Sequence, residues 1–180
     1  VSVAVDDPYW PSLACVNDPR IQRVDGGAER SGSVLNALLH LHAQGADDED
    51  WVLVHDAARP NLSRDDLDKL LAELADDPVG GLLAVPARDT LKRIDKHGRV
   101  VETVDRSVIW QAYTPQMFRL GALHRALADS LVADAVITDE ASAMEWAGQA
   151  PRLIEGRADN LKVTRPEDLE WLRQRWANRR

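Results

Sequence analysis

The order of apolar and polar residues along the chain predicts a regular alternation of strands and helices. Short apolar or alternating runs predict strands at residues 1–5, 21–24, 51–54, 80–87, 90–94, 100–104, 109–118, 152–155 and 160–163. Apolar positions three and four apart predict helices that begin near Ser31 or Ser33 and at Ser63, Leu120, Asp139 and Thr164. Strands that alternate with helices indicate an α/β fold with a doubly wound, mostly parallel sheet. We therefore expect a single domain over residues 1–180.

The predicted helices have start or stop signals as well as apolar faces. Gly45 should end the first helix, and Ser63 should cap the second. Thr164-Arg-Pro-Glu167 has the pattern of a capping box at the start of the last helix. The residues expected on the apolar faces are Val34, Leu35, Leu38, Leu39 and Leu41, then Leu67, Leu70, Leu71 and Leu74, and finally Leu169, Leu172 and Trp176.

Residues 88–107 have a different pattern. Two alternating runs flank Lys96-His-Gly98, which predicts a β-hairpin that projects from the sheet as an arm. The exposed strands of such an arm need cover, and a partner subunit is the usual source. The arm therefore predicts a homodimer.

The composition narrows the classes of function. Of the 180 residues, 44% are hydrophobic and 29% are charged, which is typical of a globular protein. The net charge of −8 argues against nucleic acid or an anionic membrane as a partner, and no apolar run is long enough to cross a bilayer. The single cysteine, Cys15, cannot form an internal disulfide, so we expect a cytoplasmic location and interpret Cys15 as a packing residue.

The most informative stretch is Trp51-Val-Leu-Val-His-Asp-Ala-Ala-Arg-Pro60. Its apolar start predicts a strand buried on both faces, and Pro60 prevents the strand from continuing. Ligands of open α/β sheets bind beyond the carboxyl ends of strands, which is where Asp56 and Arg59 would lie. The alternative is that Asp56 caps the next turn and Arg59 neutralises it. A generic Asp-x-x-Arg fits both interpretations equally well.

Four further stretches accompany this one: Val24-Asp-Gly-Gly-Ala-Glu-Arg-Ser-Gly-Ser-Val34, Arg88-Asp-Thr90, Ile137-Thr-Asp-Glu-Ala-Ser142 and Glu155-Gly-Arg-Ala-Asp-Asn-Leu-Lys-Val-Thr-Arg-Pro-Glu-Asp168. Together and in order, the five stretches resemble the 2-C-methyl-D-erythritol 4-phosphate cytidylyltransferase family of the non-mevalonate isoprenoid pathway. The resemblance extends from about Val1 to the last helix. It implies a nucleotidyltransferase that joins CTP and 2-C-methyl-D-erythritol 4-phosphate to give 4-diphosphocytidyl-2-C-methyl-D-erythritol and pyrophosphate.

The resemblance also implies a nucleotide site. Its residues would be Gly27, Ala28, Ser33, Asp56 and Ala57. By itself a Gly-Gly pair ahead of a helix is a weak signal, since most such pairs are only turns. The family often has Asp where this chain has Ala28, so a side-chain contact at that position would be lost while a backbone contact would survive.

The second substrate would be held by Asp56, Arg59, Thr90 and Thr138 according to the same resemblance. Arg106 and Lys162 would be the catalytic residues that position the attacking phosphate, with Arg106 coming from the other subunit. The residues alone leave alternatives open: Arg106 as a surface arginine, Thr138 as a helix cap and Lys162 as a solvent-facing lysine on an edge strand. A lysine within an apolar strand is nevertheless costly unless its ammonium meets an anion or water.

Mg²⁺ that bridges the CTP phosphates is the one cofactor implied. Mg²⁺ keeps several waters and needs few protein ligands, which suits a site with a single nearby carboxylate. No metal site built by the protein is expected, because His40 and His42 lie on a helix without spaced acidic or cysteine partners.

The sequence before Val1 would have to contain one motif of the family, a Gly-rich loop, that this chain lacks. Members of the family open with a strand and a Gly-rich loop whose Arg and Lys hold the triphosphate of CTP, so we expect this chain alone to be inactive. Two alternatives remain open from the sequence. A related pentitol-phosphate cytidylyltransferase would share nearly every motif, and a non-catalytic dimeric binding module would lack the loop.

Overall fold

The computed structural model describes residues 1–177. Its helices and strands follow one another in an α/β order, which confirms the predicted fold class. In chain order they are β1 (Ser2–Val3), β2 (Val24–Asp25), α1 (Arg30–Ala43), β3 (Trp51–Val54), α2 (Arg64–Leu74), β4 (Gly80–Pro86), β5 (Leu91–Ile94), β6 (Val100–Val104), β7 (Trp110–Arg119), α3 (Leu120–Val132), α4 (Glu140–Trp146), β8 (Arg152–Glu155) and α5 (Pro166–Ala177). Within residues 1–177, no helix is both long enough and apolar enough to cross a membrane.

The chain forms two compact units, residues 1–54 with 118–151 and residues 55–117 with the segment from 152 onward. In the first unit, α1 packs against the parallel pair β1 and β2, and α3 packs against α1 and α4. The largest buried side chains of this unit are Leu38, Phe118, Leu120, Leu123, Leu127 and Met144. The prediction of one domain over residues 1–180 stays a prediction.

Three details of the first unit differ from the sequence predictions. The helix α1 begins at Arg30, so Ser31 and Ser33 lie inside its first turn and do not cap it. The strand predicted at residues 21–24 lies at Val24–Asp25. The strand β3 is half-buried along its whole length, not buried on both faces.

The apolar stripe of α1 is also narrower than predicted. Leu38 is buried, whereas Leu39 and Leu41 are exposed. The helix stops where predicted, because Gly45 adopts a φ of +93°, which favours glycine.

The second unit contains three adjacent strands in the order β7, β4, β8, with β4 and β8 parallel. The helix α2 packs on β4 and β8, and Ser63 caps it as predicted, since its hydroxyl accepts a hydrogen bond from the Asp66 amide at 3.1 Å. On this helix the side chains of Leu70 and Leu74 are buried, but that of Leu71 is exposed. At Gly81 a Cβ would lie 2.0 Å from the carbonyl oxygen of Arg152, so the β4–β8 contact requires glycine there.

The predicted hairpin is confirmed. β5 and β6 pair antiparallel, with Leu91 opposite Val104. The carboxylate of Asp95 closes the turn by accepting hydrogen bonds from the amides of His97 and Arg99, and Gly98 has a φ of +76°. The exposed apolar side chains of the hairpin are Ile94, Val100 and Val101. Their burial in a dimer stays a prediction.

Two predictions at the end of the chain are wrong. Residues 160–163 form no strand and instead lie in a loop. The helix α5 begins at Pro166, and the carboxylate that satisfies its start belongs to Asp168 rather than Glu167. The backbone N–H groups of Thr164 and Arg165 donate to this carboxylate, each at 2.9 Å, and they lower the pKa of Asp168.

Candidate active site

The chain turns sharply after β3. The amide of Arg59 donates to the carbonyl oxygen of Asp56 at 2.9 Å, which closes a turn with Ala57 and Ala58 at its centre. Pro60 then prevents a return to strand geometry. The Asp56 side chain is largely buried, with 14% of its surface exposed, while Ala57 lies exposed beside it.

Thr114 on β7 organises this turn. Its hydroxyl accepts a hydrogen bond from the Asp56 amide at 3.0 Å and lies 2.9 Å from Nδ1 of His55. The other ring nitrogen of His55, Nε2, lies 2.9 Å from the carbonyl oxygen of Arg59. Because a carbonyl oxygen only accepts, Nε2 carries a proton, and the Thr114 hydroxyl can donate to Nδ1 when the ring is neutral. His55 thus links the Thr114 hydroxyl to the carbonyl oxygen of Arg59.

The surroundings of His55 lower its pKa, which favours the neutral ring. Partial burial lowers the pKa of His55, and this effect is opposed by the hydrogen bond to the Arg59 carbonyl and by the charge of Asp56. The positive charge of Arg59 acts in the same direction as burial. A neutral ring, which the lowered pKa favours, can accept a hydrogen bond from the Thr114 hydroxyl at Nδ1.

Arg59 is buried and binds the protein's own backbone. Its Nη1 donates to the carbonyl oxygen of Asn160 at 2.8 Å, and its Nη2 lies 3.4 Å from that of Ala112. The guanidinium carbon lies 4.3 Å from the ring centre of Tyr113, and Nε is 3.9 Å from Oδ2 of Asp56. Burial lowers the pKa of Arg59, opposed by Asp56. Arg59 thus joins three parts of the second unit, and its predicted contact with substrate stays a prediction.

Lys162 meets Asp56 directly. Its Nζ lies 2.9 Å from Oδ2 of Asp56, and 44% of the lysine side chain remains exposed. The loop that carries Lys162 is fixed by the Val163 amide, which donates to the carbonyl oxygen of Ala58 at 2.8 Å, and by Asn160, whose side-chain amide donates to the Thr114 carbonyl oxygen at 2.8 Å. The structure therefore brings together an anion and a cation that are far apart in sequence.

Gly27, Ala28 and Ser33, which were predicted to contact the nucleotide, lie at the start of α1 in the first unit. The Gly27 amide donates to the Ser33 hydroxyl at 3.0 Å, and that hydroxyl donates to the Glu29 carbonyl oxygen at 3.0 Å. A Cβ on Gly27 would lie 2.7 Å from the carbonyl carbon of Gly32, so this loop requires glycine where it folds onto the helix. Ala28 lies exposed beside it.

The remaining predicted residues lie elsewhere on the surface. Thr90 and Arg106 are exposed at the two feet of the hairpin, and the Arg106 guanidinium donates to the Arg88 carbonyl oxygen. Thr138 is exposed just before α4, where its amide donates to the Ser142 hydroxyl at 3.0 Å. Asp139, not Thr138, is the cap of α4, and it forms a reciprocal capping box with Ser142.

Comparisons with known proteins decide the family. The family model described as IspD: 2-C-methyl-D-erythritol 4-phosphate cytidylyltransferase matches residues 1–173. The chain belongs to this family. The resemblance found in the five sequence stretches is therefore confirmed.

Curated members of the cytidylyltransferase family are very similar to this chain. The enzyme of Pseudomonas fluorescens strain Pf0-1 is 93% identical over the whole chain, which covers 77% of that relative. The enzyme of Pseudomonas putida strain KT2440 is 80% identical with the same coverage. Both carry the name 2-C-methyl-D-erythritol 4-phosphate cytidylyltransferase.

Solved cytidylyltransferase structures share the fold. The crystal structure of a 4-diphosphocytidyl-2C-methyl-D-erythritol synthase has a TM-score of 0.85 and 44% identity, and the match covers 97% of this chain and 80% of that one. The Francisella tularensis IspD structure has a TM-score of 0.82 and 38% identity, with coverage of 97% and 78%.

Sequence reasoning missed the residues that support the candidate site. His55 stood in the most informative stretch without a role, and Asn160 stood beside Lys162 without one. Nothing in the sequence marked Thr114, because it is one hydroxyl within a long strand. For His55 and Asn160 a signal was available, because each is a polar residue without an assigned role close to a predicted site residue, Asp56 or Lys162.

Among residues 1–177, no cluster of three or more His, Cys, Asp or Glu side chains could hold a metal ion. Asp56 is the carboxylate that lies in the candidate site, and Lys162 occupies one side of it. One carboxylate fits an Mg²⁺ ion that takes most of its ligands from phosphate and water.

Proposed function

We propose that this protein transfers the cytidylyl group of CTP to 2-C-methyl-D-erythritol 4-phosphate, giving 4-diphosphocytidyl-2-C-methyl-D-erythritol and pyrophosphate. The observation that supports the proposal most strongly is the contact between Lys162 and Asp56 at 2.9 Å. An ammonium has three N–H donors, so Lys162 can bind the Asp56 carboxylate and still donate to a phosphate. The partial exposure of its side chain, 44%, leaves room for that contact.

The proposed reaction is a direct displacement between phosphates. An oxygen of the acceptor phosphate attacks the α-phosphorus of CTP and forms a new P–O bond. The bond from that phosphorus to the oxygen bridging to the β-phosphorus breaks, and pyrophosphate leaves with the electron pair. Such chemistry depends on positioning and charge neutralisation rather than on a covalent enzyme intermediate.

The main obstacle to this reaction is repulsion between two anionic substrates. The positive charges of the proposed site would reduce that repulsion. Lys162 would hold the attacking phosphate, and Arg106 of the second subunit would grip the same phosphate with its planar fork of donors. Asp56 would accept hydrogen bonds from substrate hydroxyls. Arg59 supports this assignment indirectly, since it fixes the loops that carry Asp56 and Asn160.

The nucleotide would contact Gly27, Ala28 and Ser33 at the start of α1, and Asp56 and Ala57 after β3. Close packing of Gly27 on Gly32 supports a rigid loop there. Mg²⁺ bound to the CTP phosphates would lie near Asp56 and would supply neutralisation of their charge.

A homodimer through the hairpin is part of the proposal. Its support is the row of exposed apolar side chains on β5 and β6, which includes Ile94, Val100 and Val101. Thr90 and Arg106 at the feet of the same hairpin would then serve the partner's acceptor, with Thr138 contributing from its own subunit. A cytoplasmic location is part of the proposal, because the single cysteine gives no sign of an oxidising compartment.

The direct test uses the full-length protein with CTP and Mg²⁺ and two acceptors in parallel, 2-C-methyl-D-erythritol 4-phosphate and a pentitol phosphate. Phosphorus NMR follows the appearance of the diphosphate product and pyrophosphate. Product with the methylerythritol phosphate at a much higher kcat/KM supports the proposal. Preference for the pentitol phosphate would assign the alternative acceptor, and no product with either would favour a non-catalytic module.

A further inference from the structure

An ion pair in the first unit joins the two segments that the proposed function assigns to different substrates. Nη1 of Arg30 lies 2.5 Å from Oε1 of Glu140, and Nη2 lies 2.9 Å from Oε2. This is the bidentate arrangement that an arginine makes with a carboxylate. Arg30 is the first residue of α1, and Glu140 is the first residue of α4.

The Glu140 side chain has almost no exposed surface, at 1%, and that of Arg30 retains 35%. A carboxylate buried to this degree is tolerated when a well-aligned cation meets it. The geometry therefore fixes both helix starts through one directional contact, unlike the exposed ion pairs of the same unit. The pair between Arg125 and Asp48, for example, has exposures of 64% and 50%.

Each partner of the pair lies next to a predicted substrate contact. Arg30 lies between Ala28 and Ser33, in the turn where the Ser33 hydroxyl binds the Gly27 amide. Glu140 follows the capping residue of α4, and the hydroxyl that completes this cap also accepts from the Thr138 amide.

We propose that Arg30 and Glu140 are positioning residues that couple the nucleotide segment at Gly27–Ser33 to the acceptor contact at Thr138. The inference rests on the proposed function, because that function assigns the two segments to CTP and to the acceptor phosphate. Neither Arg30 nor Glu140 touches a substrate. Loss of the bidentate contact between Arg30 and Glu140 shifts the starts of α1 and α4, and it therefore disturbs the sites for both substrates at once.

The test measures KM for CTP, KM for methylerythritol phosphate, kcat and melting temperature in the full-length protein. Glu140→Gln keeps the shape of the side chain, and Arg30→Lys keeps the charge but loses the fork. Arg125→Lys is the matched control, since it changes an exposed arginine of the same unit. We expect each variant at the buried pair to raise both KM values about tenfold, the loss typical of one charge-assisted hydrogen bond, while Arg125→Lys leaves them unchanged.

The double variant Arg30→Lys with Glu140→Gln should raise the KM values no further than the more affected single variant, because both changes remove the same contact. A lower melting temperature with both KM values unchanged would overturn the inference and leave the pair a purely structural one. A rise in only one KM would overturn it as well. The activity of the unaltered full-length protein is measured first. If that protein makes no product, the proposed function itself is wrong, and the variants do not test the inference.

Discussion

Lys162 Nζ and Asp56 Oδ2 lie 2.9 Å apart, and this contact joins the loop after β3 to the loop before α5. The two loops are also tied by backbone, since Val163 donates to the carbonyl oxygen of Ala58. The ammonium is therefore held in place before any phosphate arrives. Preorganised charge of this kind stabilises a transition state without the cost of reorganising solvent.

Asp56→Asn should lower kcat/KM of the full-length protein about 10- to 100-fold without unfolding it. The substitution keeps the shape of the side chain and removes the charge that holds Lys162, a charge-assisted contact worth about 1.5–3 kcal/mol. Steady-state kinetics with a melting curve would measure both effects. Asp68→Asn is the control, since Asp68 pairs with Arg64 on the exposed face of α2. Unchanged kinetics in Asp56→Asn would remove Asp56 from the site.

Arg59→Lys should destabilise the protein by about 2–3 kcal/mol, the cost of leaving buried partners unsatisfied. A lysine retains the positive charge but cannot reach the carbonyl oxygens of Asn160 and Ala112 together, nor stack on Tyr113 in the same way. Urea unfolding monitored by circular dichroism measures the loss. A free energy of unfolding equal to that of the unaltered protein would show that the contacts of the Arg59 guanidinium do not stabilise the fold.

The free energy of unfolding should fall as the pH falls below about 6.5, the ordinary pKa of histidine. The folded state lowers the pKa of His55, so between that lowered value and 6.5 the unfolded chain binds the proton and the folded chain does not. The stability contributed by neutral His55 is therefore complete above this window and is lost as the pH decreases through it. Denaturant unfolding from pH 5 to pH 8 measures the slope.

The matched variants for this pH dependence are His55→Gln and His97→Gln. His97 lies exposed in the hairpin turn and serves as the control. The slope should become shallower in His55→Gln and remain in His97→Gln. An identical slope in both variants would show that another group titrates.

The long apolar strands were predictable because their pattern reflects burial directly. The strand β4, buried from Gly80 to Val85, and the cap at Ser63 follow from local sequence alone. Residues 160–163 were not predictable, because Leu161 and Val163 alternate with Lys162 in a strand-like way. Their conformation depends on distant partners, among them Thr114.

Part of the site could be predicted for a similar reason. Asp56 and Lys162 stand in stretches with unusual polar residues, so each was found separately. Their contact, the hydrogen bond of His55 to the Thr114 hydroxyl and the Arg30–Glu140 pair depend on long-range geometry. No local pattern of residues encodes contacts of this kind.

The dimer proposal predicts complementation between inactive subunits. Full-length Arg106→Ala and Lys162→Ala should each be nearly inactive, and mixing them should restore part of the activity. If Arg106 acts in the partner's site, one of the two sites in a hybrid dimer contains both residues intact. Subunit exchange is verified by native mass spectrometry. Absence of recovery despite proven exchange would place Arg106 in its own subunit's site or outside any site.

The most direct measurement of the central claim is kcat/KM for 2-C-methyl-D-erythritol 4-phosphate in full-length Lys162→Gln, at saturating CTP and Mg²⁺. Lys69→Gln is the control, since that exposed lysine on α2 donates to the Glu155 carbonyl oxygen. If Lys162 holds the attacking phosphate, its replacement should lower kcat/KM about 100-fold, near 3 kcal/mol, while Lys69→Gln changes nothing. A Lys162→Gln enzyme with the kcat/KM of the unaltered protein would contradict the account.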